Sequence, residues 1–355
     1  MEQKKYLTNV AVIRVILIVL LVFYHAFLVY SGGWKSSGEF PVIKPYWWLD
    51  RFSYAFLLET FVFVSGYVLG FQVRTKGEEK LELKGLLWSK FKRLIIPSMV
   101  FSFLYILLFL NITQPILATL RGIIEGTGHM WFLPMLFWCF VFIGIIEKFR
   151  MKPNFVIPLL FICSICSFVP LPLQLNQAMY YMLFFYVGYI LQRRDIRLDK
   201  YYKSRYAIAF CISFMITFPL LTIFRQNIGE IFGNIGGGYM IVNQDITSAL
   251  GHMISNAAKI VYSSIGLISV FIIVGIVMQA KSFQIPQWVI KVGNLCMGVY
   301  LFQQFILMGI YKYSSLPDIV SPFAMPWLAF IITLIVSLLL SYIFRMTRIG
   351  RTLIG

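Results

Sequence analysis

Long apolar runs separated by short basic segments are the feature that most restricts how this chain can fold. A helix needs about 20 consecutive apolar residues to cross a bilayer, and ten segments approach or reach that length. Hydrophobic residues make up 59% of the 355 residues and charged residues only 13%, whereas about a quarter of a soluble domain is charged. A soluble enzyme, a disordered chain and a secreted disulfide scaffold are therefore excluded. The candidate spanning helices cover residues 9–30, 52–72, 94–113, 129–147, 154–171, 176–191, 206–224, 256–279, 292–313 and 325–344.

The lysines and arginines between these runs are distributed unequally. Of the 31, 23 fall in connections on the side of the N-terminus and six on the other side. Cytoplasmic loops carry an excess of Lys and Arg, so the pattern predicts an all-α, polytopic membrane protein of about ten transmembrane helices with both termini cytoplasmic. We expect one integral-membrane domain over residues 1–355, in the inner (plasma) membrane. The same rule explains the net charge of +17 without nucleic acid as a partner.

Two conspicuous segments point to no particular chemistry. Cys163 and Cys166 form a C-x-x-C pattern inside an apolar run, with neither a second pair nor a nearby histidine. Metal or redox use is therefore not expected, and we predict no metal site. The long, glycine-containing outer connection over residues 225–255 fits a lid or re-entrant segment and a flexible connector equally well.

Two ionisable residues lie within the first apolar run, where charge is costly and usually functional. Arg14 and His25 are eleven residues apart. That spacing is three helical turns plus about 20°, so both side chains share one face about 16 Å apart along the axis. One interpretation is an arginine that reaches the interface and a histidine that is hydrogen-bonded inside the bundle. The other is a polar track, with a cation near the cytosol and a proton-transfer group deeper in the membrane.

The second run contains an acidic residue and a pair of small residues. Glu59 opens the segment ETFVFVSG, which ends with Ser65 and Gly66. We interpret Glu59 as a counter-ion to Arg14 or His25, as the acid that orients the imidazole, or as a carboxyl near the outer interface. Small residues such as Ser65 and Gly66 commonly allow spanning helices to pack closely.

Basic residues lead into the third run, and aromatic residues open the fourth. Lys90, Lys92 and Arg93 satisfy the positive-inside rule, and beside Arg14 they would also form a phosphate-binding cluster. At the start of the fourth run, Trp131 is typical of an interfacial anchor. His129, two residues earlier, can contact a polar acceptor.

These motifs resemble those of the integral-membrane acyltransferase-3 family. The Arg-x10-His pair of the first helix is the most specific element, and F-x-F-x-S-G at residues 61–66 and Trp-Phe-Leu at residues 131–133 also match. Two positions depart from the family pattern. Lys90 stands where an Arg-x-x-Arg pair usually begins, and Gln303 followed by Gln304 stands where many members carry a histidine.

The resemblance implies transfer of an acyl group, commonly acetyl, from a cytoplasmic coenzyme A thioester to a hydroxyl of an extracytoplasmic or lipid-linked glycan. The co-substrate would be acetyl-CoA or another acyl-CoA, with no permanently bound cofactor. The partners would be the glycan or lipid-linked saccharide acceptor and membrane lipid. The expected roles are CoA-phosphate binding by Arg14, Lys90, Lys92 and Arg93, catalysis by His25 and Glu59, and acceptor binding by Ser65, His129 and Trp131.

Several alternatives stay open at this point. His25 can act as general base on the acceptor hydroxyl or accept the acyl group itself. From a different class, a secondary transporter or flippase would use Arg14, His25 and Glu59 as a proton relay. A structural or scaffold protein leaves the alignment of Arg14 with His25 unexplained.

Overall fold

The computed structural model describes residues 2–34, 40–110, 115–196, 198–231, 246–279 and 286–354. Within these ranges all regular structure is helical. The helices are α1 (Glu2–Phe27), α2 (Lys44–Tyr54), α3 (Leu57–Lys76), α4 (Leu83–Lys90), α5 (Ile96–Phe109), α6 (Ile116–Glu125), α7 (Phe132–Lys148), α8 (Pro153–Ile165), α9 (Leu175–Arg193), α10 (Ser204–Ile231), α11 (Ile246–Gln279), α12 (Gln287–Gly293), α13 (Cys296–Tyr313), α14 (Leu316–Ile319), α15 (Met325–Met346) and α16 (Arg348–Ile354).

The helices are long and apolar enough to make the chain a multi-pass membrane protein. Seven helical segments in the described ranges could cross a membrane by length and hydropathy, or eight if α12 and α13 form one bent span. The predicted spans at 154–171 and 176–191 correspond to α8 and α9, which are helical but do not meet the same criterion. Seven or eight spans are thus supported, and the total of ten remains a prediction, as do cytoplasmic termini.

The third run begins earlier than the sequence suggests. A helix starts at Leu83 and continues through a π-helical turn at Phe91–Ile95 into α5. Pro97 has no N–H to donate to the turn before it, so the regular hydrogen-bond ladder cannot continue unchanged there. Lys90, Lys92 and Arg93 therefore lie within a helix rather than in the connection that precedes one.

The described parts of the outer connection predicted over residues 225–255 are helical. α10 continues to Ile231 and α11 begins at Ile246. Polar residues alone do not end a helix, whereas proline usually does. Residues 225–255 contain no proline. The glycine-rich part of the connection, residues 232–245, lies outside the described residues.

Glycines bring α3 and α9 close together near the middle of the molecule. A Cβ at Gly66 would overlap the carbonyl of Phe185, and a Cβ at Gly188 would overlap the carbonyl of Phe63. Only glycine allows the two backbones to approach so closely. The predicted packing role of Gly66 is confirmed. The consequence for function is that Glu59, in the first turn of α3, is held beside α9.

The first helix lies inside the bundle. α1 contacts α2, α3, α11, α12, α13 and α15, and Leu17, Ile18 and Val22 in its middle are fully buried. A helix surrounded in this way turns much of its surface toward protein rather than lipid. The ionisable side chains of α1 are therefore available for contacts with several other helices.

Candidate active site

His25 lies in the last turn of α1, buried beside a glutamine from α13. Its Nδ1 is 3.3 Å from Oε1 of Gln303, a residue 278 positions away in the chain. Because an amide oxygen only accepts, this contact favours the imidazole form that carries its proton on Nδ1. The other ring nitrogen, Nε2, is then the one able to accept a proton.

A second histidine faces the first. The His129 ring centroid is 6.2 Å from that of His25 and 5.1 Å from that of Tyr300 on α13. The Tyr300 hydroxyl donates to the backbone carbonyl of His129, which holds the 3-10 turn at Gly128–Trp131 against α13. We call His25, His129, Tyr300, Gln303 and Gln304 the inner polar cluster.

The inner polar cluster contains buried polar atoms that the described part of the chain does not satisfy. Nε2 of Gln303 has no hydrogen-bond partner, and neither the His129 ring nitrogens nor Oε1 of Gln304 have one of normal geometry, although the His129 ring and the Gln304 side chain lie next to each other. Each such atom costs about 1–3 kcal/mol when it is buried, and native proteins keep few of them. The Nε2 of Gln303, beside His25, therefore marks a place where a polar ligand group or water completes a hydrogen bond.

Glu59 is not the residue that orients His25. Its carboxylate is almost fully buried, 3.2 Å from Nζ of Lys259 on α11 and 3.2 Å from the Tyr180 hydroxyl on α9. The expectation that Glu59 pairs with Arg14 or His25 is corrected by these contacts, because Gln303 is the side-chain partner of the imidazole. Lys259 lies 4.3 Å above the Tyr180 ring as well, so the pair joins three helices.

The basic residues predicted to act together lie away from His25, around Arg14 in the middle of α1. The charges of Arg14 and Arg93 both act on Lys90, whose ammonium is 4.0 Å from the Phe140 ring centre. Lys92 is exposed, with its ammonium 5.3 Å from the Trp88 ring centre. The like charges of Arg14, Lys90 and Arg93 favour a multiply charged anion such as a phosphate group, and Lys92 adds a further cation in the same segment. We call Arg14, Lys90, Lys92 and Arg93 the basic cluster.

Two residues expected to line an acceptor path have other contacts. The Ser65 hydroxyl donates to the carbonyl of Phe61 in its own helix, at 2.9 Å, so the described hydrogen bond is internal to α3. Trp131 is half-buried, with its ring centre 6.2 Å from that of Tyr181. Tyr181 in turn lies 5.5 Å from the ammonium of Lys259, which connects the start of α7 to the Glu59–Lys259 pair.

Sequence reasoning missed part of the site, although some signals were present. Lys259 is an ionisable residue inside an apolar run, the criterion that singled out Arg14 and Glu59. Gln303 and Gln304 are adjacent amides in an apolar helix, where polar side chains are expensive. Tyr180 carries no such signal, because a tyrosine in an apolar helix is common at an interface.

The chemistry beside α1 differs between its middle, near Arg14, and its last turn, near His25. Arg14 and His25 lie on a single unbroken helix, about 16 Å apart along its axis. One end offers cations for phosphate oxygens, and the other offers a buried imidazole with unsatisfied hydrogen-bonding groups around it. A long ligand with an anionic head and a reactive group at its far end matches this arrangement.

Comparison with known proteins identifies one relationship. A family model described as an acyltransferase domain matches residues 7–346, a range that includes both the inner polar cluster and the basic cluster. Searches of curated proteins and of solved structures give no significant match.

Proposed function

The chain belongs to the acyltransferase-3 family of membrane proteins, and we propose that it transfers an acyl group, most simply acetyl, from a cytoplasmic acyl-CoA to a hydroxyl of an extracytoplasmic or lipid-linked glycan. One observation carries the proposal: Arg14 of the basic cluster and His25 of the inner polar cluster lie on the same helix, about 16 Å apart along α1. Acyl-CoA has its phosphates at one end and its thioester at the other. The proposal includes ten spans in the inner membrane with both termini in the cytoplasm.

The donor binds with its phosphates at the basic cluster. Arg14 and Arg93 supply guanidinium groups for phosphate oxygens, and Lys90 and Lys92 add point charges. α16 packs against the π-helical turn, so Arg348 and Arg351 reach the same end of the bundle. The pantetheine arm then follows α1 toward His25.

The chemical step takes place at the inner polar cluster. Neutral His25, with Nδ1 held by Gln303, takes the proton of the acceptor hydroxyl at Nε2. The alkoxide oxygen attacks the thioester carbonyl, the carbon–sulfur bond breaks, and the coenzyme A sulfur receives the proton from the imidazolium. An ester and free coenzyme A result, and His25 returns to its neutral form.

His129 and the two glutamines have a supporting role in this proposal. The unpaired Nε2 of Gln303 can donate a hydrogen bond to the carbonyl oxygen as it gains negative charge, and so can a ring N–H of His129. Removal of one such donor in other acyl-transfer sites costs about 2.7–4 kcal/mol of barrier.

The experiment follows the acyl group. Membranes containing the chain are supplied with acetyl-CoA labelled in the acetyl group and with envelope glycans, and label released by mild alkali is counted as ester. We expect esterified label with the wild type and a loss of about a hundred- to ten-thousand-fold in His25→Ala.

A matched control is available in the third histidine of the chain. His252 stacks on Phe168, with ring centres 5.4 Å apart, and belongs to neither cluster, so His252→Ala should keep its activity. Near-normal transfer by His25→Ala would contradict the catalytic role of His25. Label trapped on the protein without acceptor would favour an acyl-histidine intermediate over general-base catalysis.

The transporter interpretation predicts a different result. A proton relay through Arg14, His25 and Glu59 requires the three groups to exchange protons, whereas Glu59 is paired with Lys259 and Tyr180. Proteoliposomes without acyl-CoA should show no proton flux above protein-free liposomes if the chain acts only as an acyltransferase. Flux that is abolished by His25→Ala would support the transporter instead.

A further inference from the structure

A polar cavity lies at the end of the bundle opposite to the basic cluster. Its volume is about 390 Å³, within the usual size of small-molecule sites. Its walls are formed by the end of α1 and by α2, α10 and α11. The lining includes Tyr24, Trp47, Asp50, Arg51, Arg225 and Lys259. We call it the outer cavity.

The charges that line the outer cavity are mostly positive. Arg51, Arg225 and Lys259 contribute three cations, and Asp50 contributes one carboxylate. The Glu59 carboxylate, behind the wall, is ion-paired with Lys259 at 3.2 Å. Among the described residues, the cavity lining together with Glu59 therefore keeps one excess positive charge, which favours an anionic ligand.

Arg225 is held in position by neutral groups. Its Nε donates to the Ser255 hydroxyl and its Nη1 to the Tyr262 hydroxyl, both at 2.8 Å. Two hydroxyls fix the direction of a guanidinium without neutralising it. A guanidinium fixed in this way is suited to paired hydrogen bonds with a carboxylate or phosphate.

Asp50 offers the complementary kind of contact. Its Oδ2 accepts a hydrogen bond from the Ser31 hydroxyl at 3.1 Å, while its Oδ1 is buried and has no partner among the described residues. Asp50 itself is only 4% exposed. Asp50 belongs to the lining of the cavity, and a buried carboxylate oxygen without a partner calls for a hydrogen-bond donor, such as a ligand hydroxyl.

The outer cavity adjoins the inner polar cluster. Tyr24, in its wall, precedes His25 in the chain, and their ring centres are 5.0 Å apart. Tyr24 also stacks on Tyr54, another wall residue, at 4.2 Å. A ligand in the cavity is thus separated from the imidazole by little more than one aromatic ring.

From these contacts we infer that the outer cavity binds the acceptor saccharide, and that this saccharide carries an anionic substituent, a carboxylate or a phosphate, next to free hydroxyls. Arg225 and Arg51 bind the anion, and Asp50 accepts a hydrogen bond from a hydroxyl. The inference rests on the proposed function for the identity of the acceptor, but the preference for an anion rests on the cavity alone.

Binding without acyl-CoA tests the inference separately from catalysis. The purified full chain in detergent is titrated with two matched pairs of probes, observed by saturation-transfer NMR. The first pair is methyl galacturonoside and its neutral methyl ester, and the second is glucose 1-phosphate and glucose. We expect at least tenfold tighter binding of the charged member in one pair, and that pair identifies carboxylate or phosphate as the anion.

Variants locate the binding to the cavity. Arg225→Gln should reduce the preference for the charged probe by roughly tenfold or more, because it removes a charge-assisted contact, and should leave the affinity for the neutral probe unchanged. Arg51→Gln is the second variant, since Arg51 is exposed and its described contact is with the Trp47 ring at 4.7 Å. Arg121→Gln is the matched control, because Arg121 is exposed and paired with Glu125 on α6.

The outcomes separate the two proposals. Three results would overturn the inference. The first is equal affinity of the wild type for the charged and neutral probes, and the second is no binding of any probe. The third is an unchanged preference for the charged probe in folded Arg225→Gln and Arg51→Gln. Absence of ester formation together with a clear preference for the charged probe would instead overturn the proposed function and leave the anion site standing.

Discussion

Glu59→Gln is the substitution that best separates packing from chemistry in this molecule. The wild-type carboxylate is only 1% exposed and neutralises Lys259 at 3.2 Å. Glutamine keeps the shape and an oxygen for the Tyr180 hydroxyl but removes the negative charge. The ammonium of Lys259 then stays in a largely buried position without its counter-ion.

The expected cost follows from the burial of the two partners. Removing one member of a buried ion pair typically destabilises a protein by about 3–5 kcal/mol, because the remaining charge is left uncompensated. The Lys259 side chain keeps 21% of its surface exposed, so water screens part of its charge. We therefore expect the lower end of the range, about 3 kcal/mol.

A double variant should recover most of this loss. Glu59→Gln combined with Lys259→Met removes both charges and leaves no buried ion, so the two changes should couple by about 2 kcal/mol or more in the favourable direction. The measurement is thermal denaturation of the purified protein in detergent for the wild type, both single variants and the double variant. Glu78→Gln is the control, because Glu78 is 77% exposed and an exposed ion pair contributes about 1 kcal/mol or less.

Activity measured on the same proteins decides the role of Glu59. If Glu59 acts by neutralising Lys259, Glu59→Gln should lose stability but keep its turnover at saturating substrates. The reasoning would be refuted by a Glu59→Gln protein that melts like the wild type and yet loses turnover at saturating substrates. That result would return Glu59 to direct participation in the chemistry.

Three further predictions concern the rest of the track. Transfer should fall as pH drops through the pKa of His25, since only the neutral ring accepts a proton. An acidic limb that is kept in His252→Ala but is absent from the residual activity of His25→Ala would confirm it, and a limb that persists without His25 would contradict it. Arg93→Ala should weaken acyl-CoA binding in calorimetry by about 1.5–3 kcal/mol, and unchanged affinity would assign Arg93 to topology alone. A cysteine that replaces Arg225 should react with an impermeant thiol reagent from outside intact cells, and one that replaces Arg74 should not. Labelling of the residue 74 cysteine from outside would contradict the ten-span topology.

The basic cluster was predictable because its parts follow from local rules. The spacing of Arg14 and His25 is set by the helix repeat alone, and a basic segment before an apolar run lies at the cytoplasmic end. Both segments were therefore expected at the same end, and the charges of Arg14 and Arg93 do act on Lys90. The interruption by a π-helical turn was not expected, because a single such turn shifts the helical register by about one residue, which an uninterrupted apolar run does not reveal.

The partners of the buried polar groups required the tertiary structure. Sequence patterns identified His25 and Glu59 as unusual, but Gln303 lies 278 residues from His25, and Lys259 is 200 positions along the chain from Glu59. Any of several polar residues in other helices can complete a buried hydrogen bond. Which one does so depends on how closely the helices approach, and at α3 and α9 that distance is set by glycines on both sides.

What the amino-acid sequence determined by itself is the membrane-spanning helical class, the shared face of Arg14 and His25 and the basic end of the bundle. These depend on hydrophobicity and on a repeat of 3.6 residues, which act over neighbouring positions. What only the tertiary structure decided is that Gln303 holds His25, that Lys259 neutralises Glu59, and that an electropositive cavity adjoins the imidazole. Those contacts join helices far apart in the chain, and packing between helices, rather than any local repeat, selects them.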